Sequence, residues 1–401
     1  MNCFEEELEK IRLKGNYREL TSAISKGNYI EKDGKKLLNL ASNDYMSIAS
    51  DIQLREEFLK GLNIDNFIPS YSSSRLLSGS FEVYKELEDL LARAYNKESS
   101  LIFNSGYHCN IGIIPAIADK KTLIIADKLI HASLIDGILL SKEKFIRYNH
   151  NDYNNLERLI ERYKDDYEKI IIVTESIFSM DGDEADIEKL VEIKSRYSNV
   201  LLYIDEAHAI GIRGRTYLGL AQEKDCIKDI DFLVGTFGKA IGSVGAFVVC
   251  RQVFKELLVN KMRSFIFSTS LPPINVLWTM FVFNHLLNQN SRRIELDYKN
   301  LESNSKETNL DSKRLNLDFI SSKLKEGIIN KGYPCPSSSH IIPLIIGDSK
   351  EAIIKAKRLQ ENGFYALAVR PPTVPEGTSR IRFSLNASIN EFDINNIIEL
   401  I

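Results

Sequence analysis

No apolar run in the 401-residue chain approaches the roughly twenty residues that a membrane-spanning helix needs. Cysteine is scarce and scattered: Cys3, Cys109, Cys226, Cys250 and Cys335 form no CxxC pair, which argues against a zinc site and suits a reducing compartment. Cys109 and Cys250 lie in apolar or small-residue surroundings and read as packing residues. Charge of one sign is also missing. Lys and Arg number 52 and Asp and Glu 55, a net charge of -3, so neither nucleic acid nor an anionic membrane is an expected partner. The sequence has no GxxxxGK[ST] phosphate loop, no HExxH pair among its dispersed histidines and no internal repeat. These absences exclude a nucleotide-driven motor, a helical metalloprotease site and a solenoid, and no metal is expected. Residues 1–7 are acidic where a signal peptide would be basic and then apolar, so the expected address is cytoplasmic. A small-molecule partner is what remains.

The 44% hydrophobic and 27% charged fractions are those of an ordinary soluble globular protein. The length exceeds what one core usually supports. Three parts are expected: an N-terminal arm or helix at 1–45, a large domain at 46–285 and a small C-terminal α+β domain at 286–401. Within the arm, charges interleave with Leu8, Ile11, Leu13 and Leu20, which predicts an amphipathic helix over residues 5–26 lying on something else. From about residue 80 the chain alternates helical stretches with short β-branched runs, the pattern of βαβ architecture. Residues 286–316 turn polar and read as a solvated helix or connector, followed by strand-like 341–346, a helix over 350–361 and a strand at 380–385.

The apolar runs close on polar residues in a telling way. Leu101-Ile102-Phe103 leads into Asn104-Ser105-Gly106-Tyr107, and Leu123-Ile124-Ile125-Ala126 leads into Asp127 and then His131. Ile170-Ile171-Ile172-Val173 leads into Glu175 and Ser179, Val200-Leu201-Leu202-Tyr203-Ile204 into Asp205 and His208, and Phe232-Leu233-Val234 into Thr236 and Lys239. Each candidate reactive residue therefore follows the carboxyl end of a predicted strand, where an open parallel sheet builds its ligand crevice.

Lysine is rarely buried without a partner or a task. Lys239, in Gly235-Thr236-Phe237-Gly238-Lys239-Ala240, is either a surface residue on a hairpin turn or a desolvated amine. Asp205-Glu206-Ala207-His208 upstream favours the second reading. Together they supply what pyridoxal 5'-phosphate (PLP) requires: an amine for its aldehyde and a carboxylate to keep the pyridine nitrogen protonated. The same four letters head a helicase box, but that reading needs the phosphate loop that is absent. Asn104-Ser105-Gly106-Tyr107 precedes a predicted helix whose N-terminal N–H groups suit a phosphate. Thr236, Ser268 and Thr269 can add hydroxyls, and His131 an imidazole face for the ring. Arg380 and Arg382 lie two apart and so share one strand face. One is expected to clamp a substrate carboxylate and the other to be an ordinary surface pair.

These residues, with Ser42-Asn43-Asp44-Tyr45, Thr174-Glu175-Ser176-Ile177-Phe178-Ser179-Met180-Asp181-Gly182-Asp183 and Phe267-Ser268-Thr269-Ser270-Leu271-Pro272-Pro273, resemble the α-oxoamine synthases over nearly the whole chain. The resemblance implies a fold-type I PLP-dependent transferase, aspartate aminotransferase-like, with a large mostly parallel-sheet domain and a small C-terminal α+β domain. It implies a homodimer with shared active sites. Lys239 would hold the cofactor, Asp205 pair with its ring nitrogen, His208 bond its phenolic oxygen and His131 stack on the ring. Ser105, Gly106, Tyr107, Glu175, Ser179 and Thr236 fall at cofactor-binding positions, and Thr269 would reach the phosphate from the partner subunit. Arg382 and Asn43 would hold the amino acid carboxylate, and Arg18 and Thr373 would meet substrate.

Within that family, Arg370-Pro371-Pro372-Thr373-Val374-Pro375-Glu376-Gly377 is similar to the members that condense L-alanine with a pimeloyl thioester, carried on coenzyme A or an acyl carrier protein, in biotin biosynthesis. A sibling using glycine and acetyl-CoA is the nearest alternative, and a non-catalytic binding or regulatory subunit is the alternative of another class. One segment departs from the family. Where members usually carry glycines this chain reads Ser70-Tyr71-Ser72-Ser73-Ser74-Arg75, which is expected to remove conformations of positive φ and leaves the acyl chain and its carrier open.

Overall fold

A computed structural model describes residues 2–299 and 309–401. The chain divides into two compact units, one of residues 51–178 and 184–310, the other of residues 1–50, 179–183 and 311–401.

The larger unit is built on a seven-stranded sheet. In chain order its strands are β1 (Ser99–Phe103), β2 (Thr122–Asp127), β3 (Lys144–Tyr148), β4 (Lys169–Glu175), β5 (Val200–Asp205), β6 (Phe232–Thr236) and β7 (Ala246–Cys250). They lie in the order β1-β7-β6-β5-β4-β2-β3. Only β7 is antiparallel, inserted between β1 and β6. Every residue of β2 is buried, and all of β4 except its first. A strand covered on both faces has no solvent side, which is why these strands read as unbroken apolar runs rather than as an alternation. Because the parallel strands share a direction, the segments that follow β1, β2, β4, β5 and β6 leave the sheet along one edge.

Two helices carry part of that edge. Helix α1 (Gly106–Ile117) follows β1, and helix α2 (Ala132–Ser141) follows β2; the two pack against each other. Gly137 makes the approach possible, since a Cβ there would lie 2.5 Å from the Asn110 carbonyl oxygen. Helix Glu82–Ala94 precedes β1, with Leu87 and Leu91 buried. Cys109 and Cys250 are buried free thiols, as packing residues should be, and burial pushes both thiol pKa values up.

The smaller unit carries a four-stranded sheet (Ile24–Lys26, Tyr29–Lys32, Lys35–Asn39 and Phe364–Tyr365) and a three-stranded antiparallel sheet in the order Ile341–Gly347, Ser379–Ser384, Ala368–Val369. Helices Ser349–Glu361 and Glu391–Leu400 accompany them. The N-terminal helix is shorter than its pattern predicts. It spans Cys3–Leu13, is closed by Gly15 at φ 67, and buries none of its residues. Residues 24–26, expected as the end of that helix, form a strand instead. A single helix, Pro273–Lys299, runs through position 286, where the pattern turns polar; the stretch 300–308 lies outside the described residues.

Candidate active site

In the larger unit each strand end delivers one chemical group. After β1, Ser105 adopts an extended φ of -164° and caps helix α1, its hydroxyl accepting the His108 N–H at 3.1 Å. The N–H groups of Gly106 and Tyr107 open the same helix and have no intrahelical acceptor, so they suit an anion. A Cβ on Gly106 would lie 3.8 Å from Thr236, at the end of β6, whose hydroxyl donates to the Gly245 carbonyl at 3.0 Å. The Tyr107 hydroxyl itself is engaged by Asp136 Oδ2 at 2.5 Å. Thr269 is exposed, and its backbone is fixed by the Asn104 amide at 2.8 Å and by a bridge to Ser74.

The reactive groups form one electrostatic cluster. Lys239 Nζ lies 2.8 Å from His208 Nε2. Asp205 is buried at the end of β5; its Oδ1 accepts the Ala207 N–H at 2.9 Å and its Oδ2 the Asn110 side-chain N–H at 2.7 Å. Glu175 ends the neighbouring β4 in register with Asp205 and accepts the His131 backbone N–H at 2.5 Å. Burial, reinforced by the Asp205 carboxylate and opposed by Lys239, pushes the Glu175 pKa up to about 8. His131 keeps an accessible face, yet the protein crowding its ring pushes its pKa below the ordinary imidazole value, with Asp205 opposing and Lys239 adding to the shift. Asp205 and Lys239 thus both act on His131 and on Glu175.

These residues could hold PLP: an amine for the aldehyde, a buried carboxylate for the ring nitrogen, an imidazole for the ring face and a helix N-terminus for the phosphate. Among the described residues, no group of His, Cys, Asp and Glu is arranged to hold a metal ion.

The smaller unit holds the remaining candidates. Arg382 Nη1 donates to Asn43 Oδ1 at 3.3 Å and Nη2 to the Tyr45 hydroxyl at 3.2 Å, while Nε donates to the Ser179 carbonyl. Its partners are neutral, and among the described residues no carboxylate pairs with it, so the guanidinium is ready for an anionic ligand. Arg18 donates to the Thr373 hydroxyl at 2.9 Å, which brings these two together. Arg380 is not the surface residue expected. It is 4% exposed and bonds Asp181 Oδ1 at 2.5 Å and the Thr378 carbonyl at 3.0 Å, because it lies on the central strand of its sheet.

Two further departures carry weight. Ser72 adopts φ 53 despite its side chain, with its N–H bonded to Ser70 Oγ at 2.9 Å and the loop pinned by the Ser270 N–H to the Ser73 carbonyl at 2.9 Å. Replacing glycine therefore did not remove the positive φ. Asn110 and Ser133, which tie Asp205 to His131, have no place in the strand-end pattern. The signal that finds Asn110 is a lone amide in an apolar helix, Cys109-Asn110-Ile111-Gly112-Ile113-Ile114, where a buried polar group must be hydrogen-bonded.

Residues 35–401 match the aminotransferase class I and II family. The chain belongs to that family. It is 47% identical to the "Putative 8-amino-7-oxononanoate synthase" of Pasteurella multocida (strain Pm70), over 98% of this chain and 97% of that one. Among solved structures it is similar to a serine palmitoyltransferase from S. paucimobilis with a bound PLP–myriocin aldimine, at 25% identity and a TM-score of 0.84 over 100% of this chain and 96% of that one. It is also similar to 8-amino-7-oxononanoate synthase from Francisella tularensis, at 26% identity and a TM-score of 0.73 over 91% and 96%. The fold is that of the fold-type I PLP-dependent transferases, the cofactor is PLP, and the protein is an enzyme, an α-oxoamine synthase acting in C-acyl transfer. No helix among the described residues is long and apolar enough to cross a membrane.

Proposed function

We propose that the enzyme condenses L-alanine with a pimeloyl thioester, as an 8-amino-7-oxononanoate synthase of biotin biosynthesis. The observation that carries this reading is the near-full-length identity of 47% to relatives so named, with the amine, carboxylate and imidazoles of the site all present at one sheet edge. In the net reaction the alanine α-carbon bonds to the acyl carbonyl carbon, the carbon–sulfur bond breaks, the thiol leaves and the alanine carboxylate departs as carbon dioxide. Bound PLP supplies an aldehyde that links to an amine and a cationic ring that withdraws electrons from the substrate α-carbon.

The chain's own residues do the rest. Lys239 would hold the cofactor through its amine, and that amine would serve as the base for the alanine α-proton; His208, 2.8 Å from Nζ, orients it. Asp205 would hold a proton at the ring nitrogen, and His131 would cover the ring. Ser105, Gly106, Tyr107 and Thr236 would bind the phosphate, and Glu175 and Ser179 would be further cofactor contacts. Arg382 and Asn43 hold the alanine carboxylate, and Arg18 and Thr373 meet the acyl substrate. In this reading the enzyme is a homodimer in the cytoplasm, with Thr269 contributed across subunits, and the thioester is carried on coenzyme A or an acyl carrier protein.

Purified protein is expected to show the visible absorption band of lysine-bound PLP, and Lys239→Ala to lose it. An unchanged spectrum removes the assignment of Lys239. Turnover assays pair L-alanine, glycine or L-serine with pimeloyl, acetyl or palmitoyl thioesters. Product formed with glycine or L-serine and not with alanine would defeat the alanine reading.

A further inference from the structure

Asn110 is 1% exposed on a face of helix α1 that it shares with buried Ile113, Ile114 and Ile117, a costly place for an amide unless each of its polar atoms is engaged. All of them are. Oδ1 accepts the Tyr203 hydroxyl at 2.6 Å, and Nδ2 donates to Asp205 Oδ2 at 2.7 Å and to Ser133 Oγ at 2.9 Å. The orientation of the amide is not interchangeable, because a carboxylate can face only its donor side. Ser133 continues the chain of bonds. Its oxygen accepts from Asn110, and it lies 2.8 Å from His131 Nδ1, the same ring nitrogen that accepts the Ser133 backbone N–H at 3.2 Å. A ring nitrogen that meets a backbone donor must offer a lone pair, so the serine proton points at it too and the ring proton belongs on the other nitrogen.

We propose that Asn110 is a positioning residue: its amide fixes one oxygen of Asp205 and sets the direction of the Ser133 hydroxyl, so that His131 is held with its ring proton on Nε2. The inference rests on the reading of Asp205 and His131 as cofactor contacts for its meaning, though not for its geometry. One polar chain then joins the group that keeps the cofactor ring cationic to the imidazole that covers it. An imidazole held in this form adds no second positive charge against a cationic ring and presents Nε2–H as a donor of fixed direction.

The test is the His131 tautomer in the full-length protein without cofactor, read from the ring nitrogen shifts of isotope-labelled histidine at neutral pH and assigned with His131→Gln. The Nε2–H form should dominate in the parent protein. In Asn110→Leu, of similar size, the donor that holds the Ser133 oxygen is gone and that oxygen is free to accept from the ring, so the share of the Nδ1–H form should rise. Ser133→Ala, which leaves α1 untouched and decides the matter if the first variant does not fold, should lower the Nε2–H to Nδ1–H ratio by about threefold or more, the worth of one net hydrogen bond. A parent protein in the Nδ1–H form, or variants that keep the parental ratio, would overturn the proposal. The visible band of Lys239→Ala reports on the cofactor reading separately, since the tautomer is measured without PLP.

Discussion

Glu175→Gln should change how the stability of this protein depends on pH. Glu175 is 2% exposed, ends β4 beside Asp205 and accepts the His131 N–H at 2.5 Å. Burial first, and the Asp205 carboxylate second, raise its pKa from 4.5 to about 8. Below about 4.5 the native and unfolded chains both carry the proton. Between about 4.5 and 8 the unfolded chain releases it while the native protein retains it, so native stability falls as pH rises. Above that window both states are ionised and the loss levels off. The span from 4.5 to about 8 corresponds to a penalty of ~5 kcal/mol. Glutamine has the shape of the protonated acid and keeps an oxygen for the His131 N–H, so the variant avoids the penalty. Urea unfolding of both proteins across the pH range reads the effect as a difference in stability. The variant should match the parent in acid and gain on it steadily to a plateau in mild alkali. A difference that is flat with pH, or that grows toward acid, refutes the reasoning.

Arg380→Met strands Asp181, its partner at 2.5 Å, and should cost ~3 kcal/mol in urea unfolding, with part of the loss recovered when Asp181→Asn is added. Ser72→Gly relieves a serine held at φ 53 and should raise stability by ~0.5–1 kcal/mol, the left-handed penalty less glycine's greater freedom in the unfolded chain; a lower melting temperature would show that Ser72 is not strained. Gly182→Ala meets both a φ of 71 and an Ile341 carbonyl oxygen 2.0 Å from the new Cβ, so a loss of ~2 kcal/mol or more is expected, and a neutral result would contradict the close approach.

What the sequence made legible follows from which signals are local. The strands β2 and β4 announce themselves as Leu123-Ile124-Ile125-Ala126 and Ile170-Ile171-Ile172-Val173, because burial on both faces leaves no polar alternation. Once those runs are strands of a parallel sheet, Asp127, Glu175, Asp205 and Thr236 fall at strand ends without any knowledge of contacts. The N-terminal helix was less legible. Its apolar spacing continues past Leu13 to Leu20, but Gly15 at φ 67 ends the helix, and a single glycine is a weak stop signal in a charged stretch. Strand period assigns Arg380 a face and says nothing of what covers that face; Asp181, its partner, is 199 residues away.

Asn110 shows the limit most clearly. Its helix context is apolar and helical period places it in the core, and a buried amide demands partners, so the sequence marks it as a residue with a task. It cannot say which task, because the partners are Ser133, 23 residues on, and Asp205, 95 residues on, joined only by the folding of α1 against α2 and β5. The strand-end residues could be found one by one since each carries its own chemistry. A residue that acts by orienting them has chemistry only in company, and it becomes legible when a helix brings its amide between a carboxylate and a hydroxyl. The same distinction separates two expected phenotypes: loss of Lys239 should abolish the cofactor's visible band outright, while loss of the Asn110 amide should leave that band and change the proton arrangement around it.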